Sequence, residues 1–93
     1  MKYPVKDYNI IGFEKSNIKN KKYSVYIQNI HNDKIYKLDF GDIRYEHFYD
    51  EIGLYKHLNH NDIKRRENYR NRHRKHYDKN KYSAAYFSWN YLW

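Results

Sequence analysis

The chain has 93 residues, no cysteine and a net charge of +8, from 19 Lys/Arg against 11 Asp/Glu. This length suits one small domain over residues 1–93, burying roughly 60–65% of its unfolded surface, and the lack of cysteine excludes disulfides and thiolate-zinc sites. No apolar run approaches the roughly 18 residues of a membrane span and no apolar leader opens the chain, so it reads as intracellular and soluble, or as part of an assembly made inside a cell.

Val, Ile, Leu and Phe together number only 19, so the core must lean on aromatic rings, which make up 20% of the chain and include thirteen Tyr. Rings bury about 150–250 Å² each and can replace missing aliphatics, provided that their hydroxyls find partners. Lys, Asn, Ile and Tyr share A/T-rich codons, so part of this composition reflects the genome.

Taken in chain order, the first expected element is a strand over 5–13, followed by a polar loop over 16–22. Residues 1–22 otherwise read as peripheral. A hairpin is expected over 23–40, where β-branched and aromatic residues alternate with polar ones. Tyr23, Val25 and Ile27 form one apolar stripe and Tyr36, Leu38 and Phe40 its match, with the turn at Asn32-Asp33 and the end of the sheet at Gly41. Residues 42–60 read as a connection anchored by Tyr45, Phe48, Leu54 and Leu58, with a short helical turn near Gly53.

A basic helix is expected over 62–77, capped by Asn61. After a polar break at 78–81, Ser83 is placed to cap an apolar C-terminal helix over 83–93 that belongs in the core. The fold class is therefore α+β: a small antiparallel sheet followed by two helices.

Charge is divided unevenly along this plan. Residues 1–53 hold nine Lys/Arg and eight Asp/Glu, a balance of +1, whereas residues 54–93 hold ten and three, a balance of +7. Seven cations fall between Lys64 and Lys75, beside the single acid Glu67. A helix so basic is costly unless a polyanion or an acidic partner neutralises it. The plain alternative is a solvated face that keeps a Tyr-rich protein soluble. Seven cations on three turns exceed that need.

Four constellations admit both a functional and a structural reading. His57, His60, His73 and His76 form two His-x-x-His pairs with ligand-like spacing, but four-His structural zinc sites are unusual. Contact with solvent or phosphate, or packing of His73 on Tyr69, fits them better. His60, Asp62, Arg65 and Arg66 invite a metal-dependent nuclease, yet three acids in the C-terminal part are too few for that chemistry. Asp39-Phe40-Gly41 matches the kinase metal triplet in letters alone. Tyr69 and Tyr77 among cations, and Trp89 and Trp93 with Tyr86 and Phe87, suit stacking surfaces but are expected to face the core. No metal or cofactor is expected, and no enzyme activity.

The stretch GLYKHLNHNDIKRRENYRNRH, followed by SAAYFSWNYLW, resembles a family of short uncharacterised proteins of nucleocytoplasmic large DNA viruses (the giant viruses) and some phages. Its pattern has an extended segment ending in Phe40-Gly41, the aromatic-Asp stretch His47-Phe48-Tyr49-Asp50, then His60, Asp62, Arg65, Arg66, Tyr69, Arg72 and His73, and a terminal Ser88-Trp89, Leu92-Trp93 block. The match spans about residues 23–93. The spacer before the terminal block is often Pro-containing in that family, and here it is not. The resemblance implies a viral origin, in the virion or the infected-cell cytoplasm, and supplies no activity.

The expected function is nucleic-acid binding, to DNA or RNA, through phosphate contacts from Lys64, Arg65, Arg70, Arg72, Arg74, Lys75 and His60. Arg66, Tyr69, His73, Phe87, Trp89, Leu92 and Trp93 are expected to be structural. The alternative is an assembly module, a minor capsid or scaffold component whose basic helix docks on an acidic protein, with viral structural proteins as partners.

Overall fold

The computed structural model describes residues 2–93. Three strands, β1 (Tyr8–Lys15), β2 (Lys21–Asn29) and β3 (Ile35–Asp42), form an antiparallel meander in that order. Helices α1 (Ile63–His73) and α2 (Ala84–Tyr91) follow, and a 3-10 turn at Arg74–His76 extends α1. The chain is α+β with a small antiparallel sheet.

The β2–β3 hairpin has the register that its apolar stripes demand. Tyr23 faces Phe40, Val25 faces Leu38 and Ile27 faces Tyr36. At the turn, the Asn29 side chain accepts from the main-chain N–H groups of His31 and Asn32, and Asp33 takes a left-handed conformation.

β1 begins three residues later than expected, because Val5–Asp7 forms a 3-10 turn after Pro4. Ile10 and Phe13 both pack on the core although they lie three apart. Strict alternation cannot achieve that. A register shift between Ile10 and Gly12 inserts the extra residue and leaves Ile11 facing outward. Residues 2–22 are thus not a peripheral extension: β1 is an edge strand of the sheet, and Tyr8 belongs to the core.

The core joins Tyr23, Val25, Ile27 and Phe40 of the sheet to Phe87 of α2 and Leu92 just beyond it. Ser83 caps α2 by accepting from the Tyr86 N–H at 3.0 Å. Gly41 lets the sheet approach the end of the chain. Its φ is +78°, and an added Cβ would meet Leu92 Cδ1 and Lys22 Cδ at 3.0 Å.

The connection at 43–60 departs from expectation. Tyr45 and Leu54 do not anchor it; they are 65% and 49% exposed, while Phe48 and Leu58 are half-buried. The short helical turn falls at Lys56–Leu58. The segment is held instead by two polar side chains, His47 and Asp50, both fully buried. Burying polar groups is tolerable only when each is hydrogen-bonded, and here each is.

Candidate nucleic-acid interface

α1 starts from Asp62, whose carboxylate accepts from the main-chain N–H groups of Lys64 at 3.0 Å and Arg65 at 3.2 Å. Asn61, the expected cap, lies one residue outside in a left-handed turn. A carboxylate is the stronger choice, because it also meets the positive end of the helix dipole.

The helix has two unlike sides. Arg66, Tyr69, Arg70 and His73 turn inward and are half-buried, whereas Lys64, Arg65, Arg72, Arg74 and Lys75 are exposed. The inward side is a layered stack. Tyr69 lies between His73 and Trp93, with ring centroids 4.2 Å away on each side. Arg66 sits 4.8 Å from the Phe48 ring centroid and donates through Nε to the Trp93 carbonyl at 2.7 Å.

Arg70 does not belong with the phosphate contacts. It sits 5.0 Å from the Trp89 ring centroid and donates through Nη2 to the same Trp93 carbonyl at 3.0 Å. Burial, then the neighbouring Arg66 and Arg74 charges, hold its guanidinium below the usual range. Trp89 also stacks on Tyr77, 4.4 Å away and nearly parallel. Replacing Arg70 with Gln should therefore lower stability by about 1–3 kcal/mol, through loss of one charged hydrogen bond to a carbonyl that Arg66 still holds and of the guanidinium packing on Trp89. Nucleic-acid affinity should change less than about twofold. Thermal melting and a binding titration of this variant separate the two effects.

His60 is likewise engaged inside the protein. Its Nδ1 accepts from the Asp62 N–H at 2.9 Å, and its ring packs against Phe48 and Trp93. It shapes the start of α1 and does not reach outward as a phosphate contact. This also separates the nuclease candidates: His60 and Asp62 are both used at the helix start, and Arg65 and Arg66 leave the helix on different sides. Among the described residues, no group of three or more His, Asp or Glu side chains is placed to hold a metal ion. Phe87 and Leu92 lie in the core, and Trp89 and Trp93 are half-buried against α1.

Beside α1 runs a groove of about 890 Å³, with residues 41–46 and the start of β2 as its other wall. Lys21, Arg65 and Arg72 line it, as do Asp42 and Glu46. Both acids are already paired: Asp42 with Arg44 at 2.7 Å and Glu46 with Arg65 at 2.9 Å. Contact with Arg44 holds the Asp42 carboxyl down at about 2.

The floor of the groove reaches a buried polar network that sequence reasoning missed. Lys22 Nζ donates to His47 Nδ1 at 2.8 Å and to the Tyr45 carbonyl at 2.9 Å. His47 Nε2 in turn donates to Asn59 Oδ1 at 2.7 Å, and that oxygen also accepts from the Asp50 N–H. Asp50 accepts from the Tyr23 hydroxyl at 2.5 Å and from the main-chain N–H groups of Ile52 and Tyr55. Burial lowers Lys22 to about 8. Burial, then the Lys22 charge, lowers His47 to about 4. At neutral pH the imidazole is therefore uncharged, accepts the ammonium proton and donates its own to Asn59. Its only signal in the sequence was the presence of His47 and Asp50 in the aromatic-Asp stretch.

No protein-family model, curated protein or solved structure matches this chain.

Proposed function

We propose that the protein binds nucleic acid through its phosphates, using the outward side of α1. One observation carries this reading: Lys64, Arg72 and Lys75 stand exposed with no ion pair among the described residues, while the inward side of the same helix is sealed on aromatic rings. Arg74 sits at the edge, 5.8 Å from the Trp89 ring centroid. Arg65 joins them at little cost, because an exposed ion pair such as that with Glu46 is worth about 0–1 kcal/mol and exchanges readily for a phosphate. A row of cations on a rigid helix follows a charged backbone without reading sequence. The family resemblance adds a setting, a small viral protein associated with the virion or acting in the infected-cell cytoplasm.

A second reading is an assembly module that docks this face on an acidic structural protein. The observation in its favour is that β1 and β3 are both edge strands and carry the exposed side chains Ile11 and Ile35.

Purification separates the two readings. The wild-type protein is expected to carry nucleic acid through a low-salt column, with a high 260/280 absorbance ratio. The triple variant Lys64→Glu, Arg72→Glu, Lys75→Glu should emerge free of it with an unchanged melting temperature. A protein partner or self-association that survives nuclease and high salt would instead favour the assembly module.

A further inference from the structure

The groove beside α1 differs from the outward helix face in offering an aromatic ring as well as cations. Tyr45 lines it and, at 65% exposure, is the most exposed large apolar or aromatic side chain among the described residues. Its mount is rigid. Lys22 Nζ donates to the Tyr45 carbonyl, the Tyr45 N–H donates to the Asp42 carbonyl at 3.2 Å, and the Ile43 N–H donates to the Asn20 carbonyl at 3.0 Å. Asp42 further ties the turn by accepting from both the main chain and the guanidinium of Arg44.

A ring held out to solvent on so well-bonded a turn has lost most of its backbone freedom before any ligand arrives. Cations face it: Lys21 at the start of β2, and Arg65 and Arg72 of α1, which stand on the border between the groove and the outward side and so serve both. Lys21 and Arg72 make no ion pair among the described residues, whereas both acids of the groove are already neutralised. The groove therefore presents net positive charge opposite an exposed ring, whose one cation contact among the described residues is the exposed Arg44 guanidinium, 5.9 Å from its centroid.

Cations that track a backbone, with a ring for the bases, are the means by which unpaired strands are held. The groove volume of about 890 Å³ lies within the roughly 300–1,000 Å³ of small-ligand sites. That admits a few nucleotides and no duplex, whose base faces are in any case hidden by stacking.

We propose that this groove takes a short unpaired stretch of DNA or RNA, with a base stacked on Tyr45 and its flanking phosphates on Lys21, Arg65 and Arg72. The proposal rests on the nucleic-acid reading above and adds a preference for single strands. The buried Lys22 acts through the main chain, as a positioning residue for Tyr45.

The test is fluorescence anisotropy with labelled twelve-residue oligo(dT) and oligo(U), and a hairpin duplex of matched charge. Titrants are the wild type, Tyr45→Ala, the pair Lys21→Gln with Arg72→Gln, and the control pair Lys64→Gln with Lys75→Gln on the outward face. Melting curves confirm that each variant is folded. Tyr45→Ala is expected to weaken single-strand binding about 5- to 100-fold while duplex binding moves less than about twofold. The Lys21/Arg72 pair should weaken single strands more than the control pair does. If Tyr45→Ala leaves single strands unaffected, or weakens duplex equally, the groove proposal falls and binding by the outward face stands. If no nucleic acid binds the wild type, both readings fall, and poly-glutamate binding that is sensitive to Lys21 and Arg72 would identify an acidic polypeptide as the occupant.

Discussion

Truncation after Asn90 is expected to abolish cooperative folding. The three residues removed hold the protein together in three ways. Leu92 is fully buried against Gly41 and the core, and a Leu-to-Ala change at such a site alone costs about 2–5 kcal/mol. The Tyr91 and Leu92 carbonyls accept from the Glu51 and Tyr49 N–H groups at 2.9 and 3.0 Å, which pins the 43–60 connection. Trp93 supplies the ring beneath Tyr69 and the carbonyl that Arg66 and Arg70 share. A protein of this size has a total stability of roughly 5–14 kcal/mol, so these losses together exceed or exhaust it. Far-ultraviolet circular dichroism on heating should show no sigmoidal transition for the truncated chain, and Leu92→Ala should melt well below wild type. A truncated protein melting at the wild-type temperature would make the tail peripheral and return Trp89 and Trp93 to the role of an exposed partner patch.

The second large effect is acid sensitivity. The buried His47 imidazole titrates at about 4 in the folded protein, against 6.5 when unfolded. As pH falls below 6.5 the unfolded chain takes up a proton that the folded one refuses, so stability falls with pH across the window from 6.5 to 4. One pKa unit corresponds to about 1.4 kcal/mol, so the loss from His47 approaches about 3 kcal/mol at pH 4. His60 and His73, also held low chiefly by burial, add in the same direction. The Asp50 carboxyl acts later. Burial raises it, but hydrogen bonds from Tyr23 and nearby main-chain N–H groups outweigh that and leave it below the ordinary carboxylate value, so its contribution is lost only at more acid pH. Urea denaturation at pH 7, 6, 5 and 4.5 should show the decline, and His47→Gln should start less stable but decline less steeply. Equal stability at pH 7 and 4.5 would contradict a buried neutral imidazole.

What the sequence made legible was periodic. Alternation over 23–40 fixes which residues of the hairpin face inward, and hence the Tyr23–Phe40 and Ile27–Tyr36 pairs. Ser83 before an apolar run marks α2 in the same way. The 43–60 connection has no period to read. His47 and Asp50 are buried by partners such as Lys22 and Tyr23, 25 and 27 residues distant, and no local pattern reports such pairings. Anchors chosen there by apolar character, Tyr45 and Leu54, turned out to be exposed.

Arg70 was misplaced for a different reason. Charge alone assigns it to solvent, yet Arg66, Arg70 and Arg74 recur at i,i+4 spacing along α1 and its 3-10 extension, and Trp89 in α2 has Trp93 four residues on, just past that helix. A row of cations and a pair of indoles at the same spacing in neighbouring segments are a signal for cation–ring packing. The groove had no signal of this kind, because its walls come from residues 21, 45, 65 and 72 and meet only in the folded chain.

The most direct measurement is the salt dependence of duplex binding, read by anisotropy with nuclease-treated protein at several salt concentrations. Lys64, Arg65, Arg72, Arg74 and Lys75 offer about five phosphate contacts, for a log–log slope of about −4 to −5, falling to about −2 when Lys64, Arg72 and Lys75 are changed to Gln. Flat curves, with no binding even at low salt, would contradict phosphate recognition by α1 and leave its charge to an acidic protein partner.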